Sequence, residues 1–179
     1  MAESFVNSIS RAVGVVTTSS SGSVGVTTNH ITGISTVGIS SSYLVDHSNY
    51  IQGTRVTRVG ITSAWVDRDS TNTSAVSGTG SFKFLGLTSA YTAGTEKAIL
   101  IGGTFANNTE SSVNIWVEVH DSSANVVSGI GQKIPVPTGS SFVISDAGKT
   151  LLEATDSVRV YCDTANGVDV NLSILKGVS

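Results

Sequence analysis

The chain has 179 residues, enough for one large domain or two small ones, and carries a net charge of −3 with only 13% charged residues. Its lack of any basic run argues against nucleic-acid binding, which needs Lys and Arg against phosphates, and no apolar run approaches the ~20 residues that cross a bilayer as a helix. The single cysteine, Cys162, excludes an internal disulfide.

Serine and threonine supply 50 of the residues and glycine 19. Helix-favouring Glu, Lys, Arg, Met and Gln are scarce and β-branched residues abound, so the composition predicts an all-β protein with a neutral, hydroxyl-covered surface. Residues 1–23 read as an N-terminal arm and linker. Phe5, Ile9 and Val13 stand four apart, a spacing that allows a short amphipathic helical stripe; an extended strand or a loose terminus fits as well. Glu3 stands where a signal peptide carries Lys or Arg, so the chain is expected to be made in a cytoplasm without export. Residues 24–75 read as a small β-rich module of short strands around Ile31, Ile34, Val37, Ile39, Leu44, Val45 and Val56. The polar stretch 68–81 marks its end.

Residues 76–179 read as an antiparallel β-sandwich of jelly-roll or immunoglobulin-like type, with about seven strands punctuated by turn signals. "SVNIWVEVHD" alternates strictly, with Val113, Ile115, Val117 and Val119 on one face and Asn114, Trp116, Glu118 and His120 on the other. "SVRVYCD" and "VDVNLSIL" repeat the pattern, and Asn166-Gly167 between them predicts a two-residue hairpin turn. Both prolines of the chain, Pro135 and Pro137, fall in "KIPVPTGSS". Proline offers no backbone N–H, so this segment reads as an edge strand running into a turn at Gly139. Trp116 and Tyr161 lie on the polar phases of their strands. Burial against the other region or a neighbouring subunit is the favoured reading, and a sugar-stacking platform the other.

No spacing of a metal site, nucleophile elbow or phosphate loop occurs. The histidines, His30, His47 and His120, fall in separate segments. "DRDSTNT", with Asp67 and Asp69, lacks the Gly and Glu of a calcium loop. Cys162 reads as a buried small hydrophobe in an alternating strand, so neither it nor the Asp pair is expected to serve a hydrolase. No cofactor is implied.

The order "ILIGGTFANNT", "KIPVPTGSSFVI", "LLEATDSVRV" and "VDVNLSILKG" resembles a family of small β-sandwich virion structural proteins of tailed bacteriophages, particularly phages of marine bacteria and cyanobacteria. The positions that carry the likeness are Asn107 to Thr109, Pro135 to Ser141, Leu152, Asp156 to Val158, Val160, Asp169, Val170 and Ser173 to Leu175. Phe5, Asn7 and Arg11 are similar to that family's start, whereas residues 24–75 depart from its compact form. The resemblance implies a non-enzymatic virion component, such as a capsid decoration, neck or tail-associated protein, assembled in the host cytoplasm. It would form a homo-oligomer, with a trimer as the first expectation, and dock on other virion proteins. The residues expected at interfaces are Phe5, Ile9, Val13, Trp116, Tyr161, Pro135 and Pro137. The alternative is a host-surface glycan-binding fibre or decoration module, reading sugar through Trp116, Tyr91 or Tyr43.

Overall fold

In the computed structural model, which describes residues 3–19, 21–74, 81–145 and 149–178, sixteen strands follow in chain order. They are β1 (Ser4–Val13), β2 (Val15–Ser19), β3 (Ser23–Val24), β4 (His30–Thr32), β5 (Leu44–Asp46), β6 (Val56–Val59), β7 (Ser63–Val66) and β8 (Phe82–Gly86). Then come β9 (Thr88–Thr92), β10 (Lys97–Asn107), β11 (Val113–Asp121), β12 (Val126–Val136), β13 (Ser141–Ile144), β14 (Thr150–Leu152), β15 (Ser157–Cys162) and β16 (Val168–Val178). No helix occurs among the described residues, as the composition predicts.

Two compact units form, one from Met1–Gly14 with Thr88–Ser179, the other from Val15–Leu87. This division corrects the expected one. Residues 4–13 are neither an arm nor a helix: β1 pairs antiparallel with β16, from Ser4 opposite Lys176 to Val13 opposite Val168. A spacing of four suits the strand repeat of two as well as a helical turn, and the intervening Ser and Asn residues are poor helix formers. The inserted unit starts at Val15 and ends at Leu87, not at residues 24 and 75.

In the first unit, one sheet has the order β1-β16-β10-β13, with β14 pairing β10 beyond β13, and the other has the order β12-β11-β15-β9. β13 meets Gly103 to Ala106 and β14 meets Ala98 to Leu100, so the two act as one broken strand along a single edge of β10. Eight strands in this order, crossing repeatedly between two sheets, form a jelly roll. Its core lies between the sheets and includes Leu100, Phe105, Ile115, Val117, Val158, Val160, Cys162, Val170 and Leu172. The alternation in β11, β15 and β16 aims these side chains inward as the sequence predicts.

The predicted hairpin does not form. β15 pairs with β11 and β9, whereas β16 pairs with β1 and β10 in the facing sheet. Both strands present an apolar face to the same core, and that face is available from either sheet. The turn between them places only Asn166 at positive φ (55°) and closes with the Gly167 N–H donating to the Thr164 carbonyl at 3.3 Å. Gly14, at φ 135°, packs its backbone against Thr164 there and accepts the Asn166 N–H at 3.0 Å.

β12 is an edge strand, as the prolines predict. Asn114, opposite Pro135, sends its N–H to Asp163 Oδ1 and accepts the Asp163 N–H, so it faces β15 and not β12. Pro135 is therefore in a non-hydrogen-bonded pair, with its ring nitrogen on the open side. Pro137 begins the turn, which the Ser140 N–H closes on the Pro137 carbonyl at 3.2 Å, with Gly139 at φ 65°.

The second unit holds two small sheets, of order β2-β8-β5 and β3-β4-β7-β6. Its core includes Val24, Ile31, Ile34, Val45, Val56, Phe82 and Phe84, so most of the expected apolar positions are buried, but Val37 is exposed.

Candidate functional site

The outer face of the five-stranded sheet is an organised feature of the described surface. Directly opposite residues in antiparallel strands share a face, so the register defines its rows. One row runs Phe5, Leu175, Ile99, Leu151 across β1, β16, β10 and β14. The next holds Asn7, Ser173 and Gly102, and the third holds Ile9, Asn171, Thr104 and Val143. Phe5 is 76% exposed, Ile9 68%, Val143 56% and Leu151 49%.

β1 is apolar on both faces, with Val6 and Val13 turned to the core. Its apolar Phe5 and Ile9 point outward, while Ser8 and Ser10 take inward positions beside Val6. The Ser8 hydroxyl is satisfied there by donating to the Ala90 carbonyl at 2.7 Å. A strand that served only the jelly-roll core would carry polar residues at the outward positions.

Two opposite-charge pairs flank this face. Arg11 Nε stands 3.8 Å from Asp169 Oδ2, and Lys97 Nζ stands 3.0 Å from Glu153 Oε1. Beside Ile9, across β1, β16 and β10, lies a shallow depression of about 340 Å³, lined by Arg11 and Asp169 together with the short side chains of Thr104, Ala106 and Asn171.

Of the expected interface residues, Phe5, Ile9, Pro135 and Pro137 are exposed. Val13, Trp116 and Tyr161 are not: they are 2%, 1% and 0% exposed within the single chain, which removes them from any contact with a neighbouring subunit and removes Trp116 as a sugar platform. Sequence periodicity marks only a residue's face, and the polar phase of β11 and β15 is itself buried at Trp116, Glu118 and Tyr161. Tyr43 is half-buried. Tyr91 borders a pocket of about 200 Å³ with Thr95, Glu96, Lys97 and Lys176, and burial pushes its hydroxyl above the ordinary tyrosine range.

The three histidines stay apart. His30 stacks on Trp65 at 4.3 Å, His47 stacks on Phe82 at 4.1 Å, and His120 Nε2 lies 3.3 Å from Asn125 Oδ1. The Arg58 guanidinium also lies over the Trp65 ring at 3.7 Å, so this ring is occupied by its own sheet neighbours. Among the described residues no three His, Cys, Asp or Glu side chains gather as a metal site. Asp67 accepts the Arg55 N–H at 2.7 Å, and Cys162 is fully buried.

The positions that carry the family resemblance secure turns. Asn107 Nδ2 donates to the carbonyls of Ser111 and Val136, while its Oδ1 accepts the N–H and hydroxyl of Thr109. Asp156 accepts the N–H groups of Ser122 and Glu153, both at 2.9 Å. Asp169 Oδ1 accepts the Ala12 N–H and the Asn108 amide. Comparison of the chain with protein-family models, with curated proteins and with solved structures finds no match.

Proposed function

We propose that the chain is a non-enzymatic structural component of a tailed-phage virion, acting by homo-oligomerisation and by docking on other virion proteins at the capsid, neck or tail. The observation that carries this reading is the outward face of β1, which holds Phe5 and Ile9 out of the core on a sheet face flanked by two opposite-charge pairs. Exposed apolar patches of this kind mark association surfaces. Two further features support it. The jelly roll is an architecture of viral capsid and lectin domains, although fold alone assigns no function. Asn107, Pro135, Asp156 and Asp169, positions that carry the resemblance to virion proteins, have defined structural roles.

The test is assembly. Tagged full-length chain produced during infection should co-purify with particles and should sediment alone as an oligomer. A chain that is monomeric at every concentration and is excluded from particles refutes the proposal. A second reading, host-glycan recognition, draws on the pocket at Tyr91 and Lys176. Glycan-array binding lost on Tyr91→Ala would favour it.

A further inference from the structure

We infer that the outer face of the β1-β16-β10-β13/β14 sheet is a two-fold interface between two copies of this chain, with Ile9 of each copy seated in the depression against Thr104, Ala106 and Asn171 of the other. This rests on the assembly reading above and names the surface and the partner.

The face carries both halves of a self-complementary contact. Ile9 stands 68% exposed as a knob, and the neighbouring depression of about 340 Å³ has short side chains in its lining. The knob and part of that lining lie in one row of the sheet, Ile9, Asn171, Thr104, Val143. An isologous contact needs this arrangement, because each copy must offer both the inserting group and its receptor. Phe5, Ile99, Leu151 and Leu175 extend the apolar contact along the strands.

Charge allows a second copy. A face bearing excess charge of one sign would repel itself. Here Arg11 stands beside Asp169 and Lys97 beside Glu153, so both signs are present on the face for exchange across the contact. Size allows it as well. Three strands of ten, eleven and eleven residues, with the seven residues of β13 and β14, about 4.8 Å apart at about 3.3 Å per residue, give roughly 600 Å² per copy. Two copies then bury roughly 1,200 Å², at the lower bound for a stable specific interface. A lone partner helix or peptide would leave much of this broad sheet face in water.

The experiment uses the full chain. Sedimentation velocity over a concentration series should show self-association, and Ile9→Asp should weaken it by roughly a hundredfold or more, since a buried aliphatic contact becomes a buried charge. At concentrations where the wild type is monomeric the two melting profiles should coincide, because Ile9 is exposed in the single chain, whereas at higher concentration only the wild type should gain melting temperature. Should Ile9→Asp fail to fold, Leu151→Lys, 49% exposed on the same face, serves in its place. Ser173, exposed in the middle row, lies near the expected axis, so Ser173→Cys should give a covalent pair with a short bis-maleimide, while buried Cys162 stays silent. Wild-type association that survives both Ile9→Asp and Leu151→Lys overturns this face and leaves the assembly reading standing. Loss of association without a Ser173→Cys pair overturns the two-fold geometry. A wild-type monomer throughout overturns both.

Discussion

Asn107 is the position where one side chain does most for the jelly roll. It is 7% exposed and uses all four of its hydrogen-bonding valences: Nδ2 reaches the Ser111 carbonyl at 2.7 Å and the Val136 carbonyl at 2.9 Å, and Oδ1 takes the Thr109 N–H and hydroxyl, both at 2.8 Å. The bond to Val136 ties the end of β10 to the end of β12, in the facing sheet, and is buried. Asn107→Ala removes four bonds at about 1 kcal/mol net each, partly replaced by water at the part-buried Ser111 and Thr109 ends, which leaves a loss of about 3 kcal/mol. At roughly 2–4 °C per kcal/mol for a chain of this size, the melting temperature should fall by about 6–12 °C. Asn107→Asp is nearly isosteric but turns the donating end into an acceptor facing two carbonyls. At neutral pH it should cost at least as much as alanine. Those carbonyls raise the folded pKa of the new carboxyl above its unfolded value, so its penalty is full above the folded pKa and fades as pH falls towards the unfolded one. Urea unfolding followed by circular dichroism at pH 7 and pH 4 measures both variants. If Asn107→Asp stays within about 1 kcal/mol of wild type at pH 7, the hydrogen-bond argument is wrong.

Gly14→Ala should destabilise the first unit by about 2 kcal/mol or more in the same assay, because φ 135° disfavours a side chain and the added methyl would meet the Thr164 carbonyl; an unchanged midpoint refutes the close approach. Cys162 should be inert to a thiol reagent in the native protein and react once unfolded, and full native reactivity would contradict its burial. His47 has its pKa lowered below 6.5, first by burial, against a smaller raising effect of Asp46. The unfolded chain therefore binds the proton more readily, so the second unit should lose stability as pH falls from 6.5 through the folded pKa. Ring-proton NMR should find His47 titrating at a lower pH than a model peptide. Pro135→Thr restores an N–H on the open side of β12 and should raise concentration-dependent aggregation, read by light scattering.

The fold class was legible because β11, β15 and β16 alternate without a break and because the prolines restrict β12 to an edge. Side-chain periodicity encodes a face, however, and says nothing of which strand lies alongside. That is why β15 and β16 read as a hairpin although they belong to opposite sheets, and why the pairing of β1 with the far C-terminal strand was hidden. The candidate face was half legible. Phe5 and Ile9 stood out as apolar residues, but their meaning depends on Ser8 and Ser10 taking the inward positions. Trp116 and Tyr161 show the converse, since their polar phase gave no sign of full burial.

The insertion of residues 15–87 between the first two strands of the jelly roll bears on the order of folding. Closing a free loop of roughly 70 residues before β1 can join its sheet carries a large entropic cost, growing with the logarithm of loop length. The inserted unit removes most of that cost itself, because β2 pairs with β8 and sets Val15 directly opposite Gly86. Once it has folded, its two ends leave side by side, and the jelly roll then meets it as little more than a tight connection. The insert should therefore form first, and a short turn in its place should leave the surrounding eight strands able to fold.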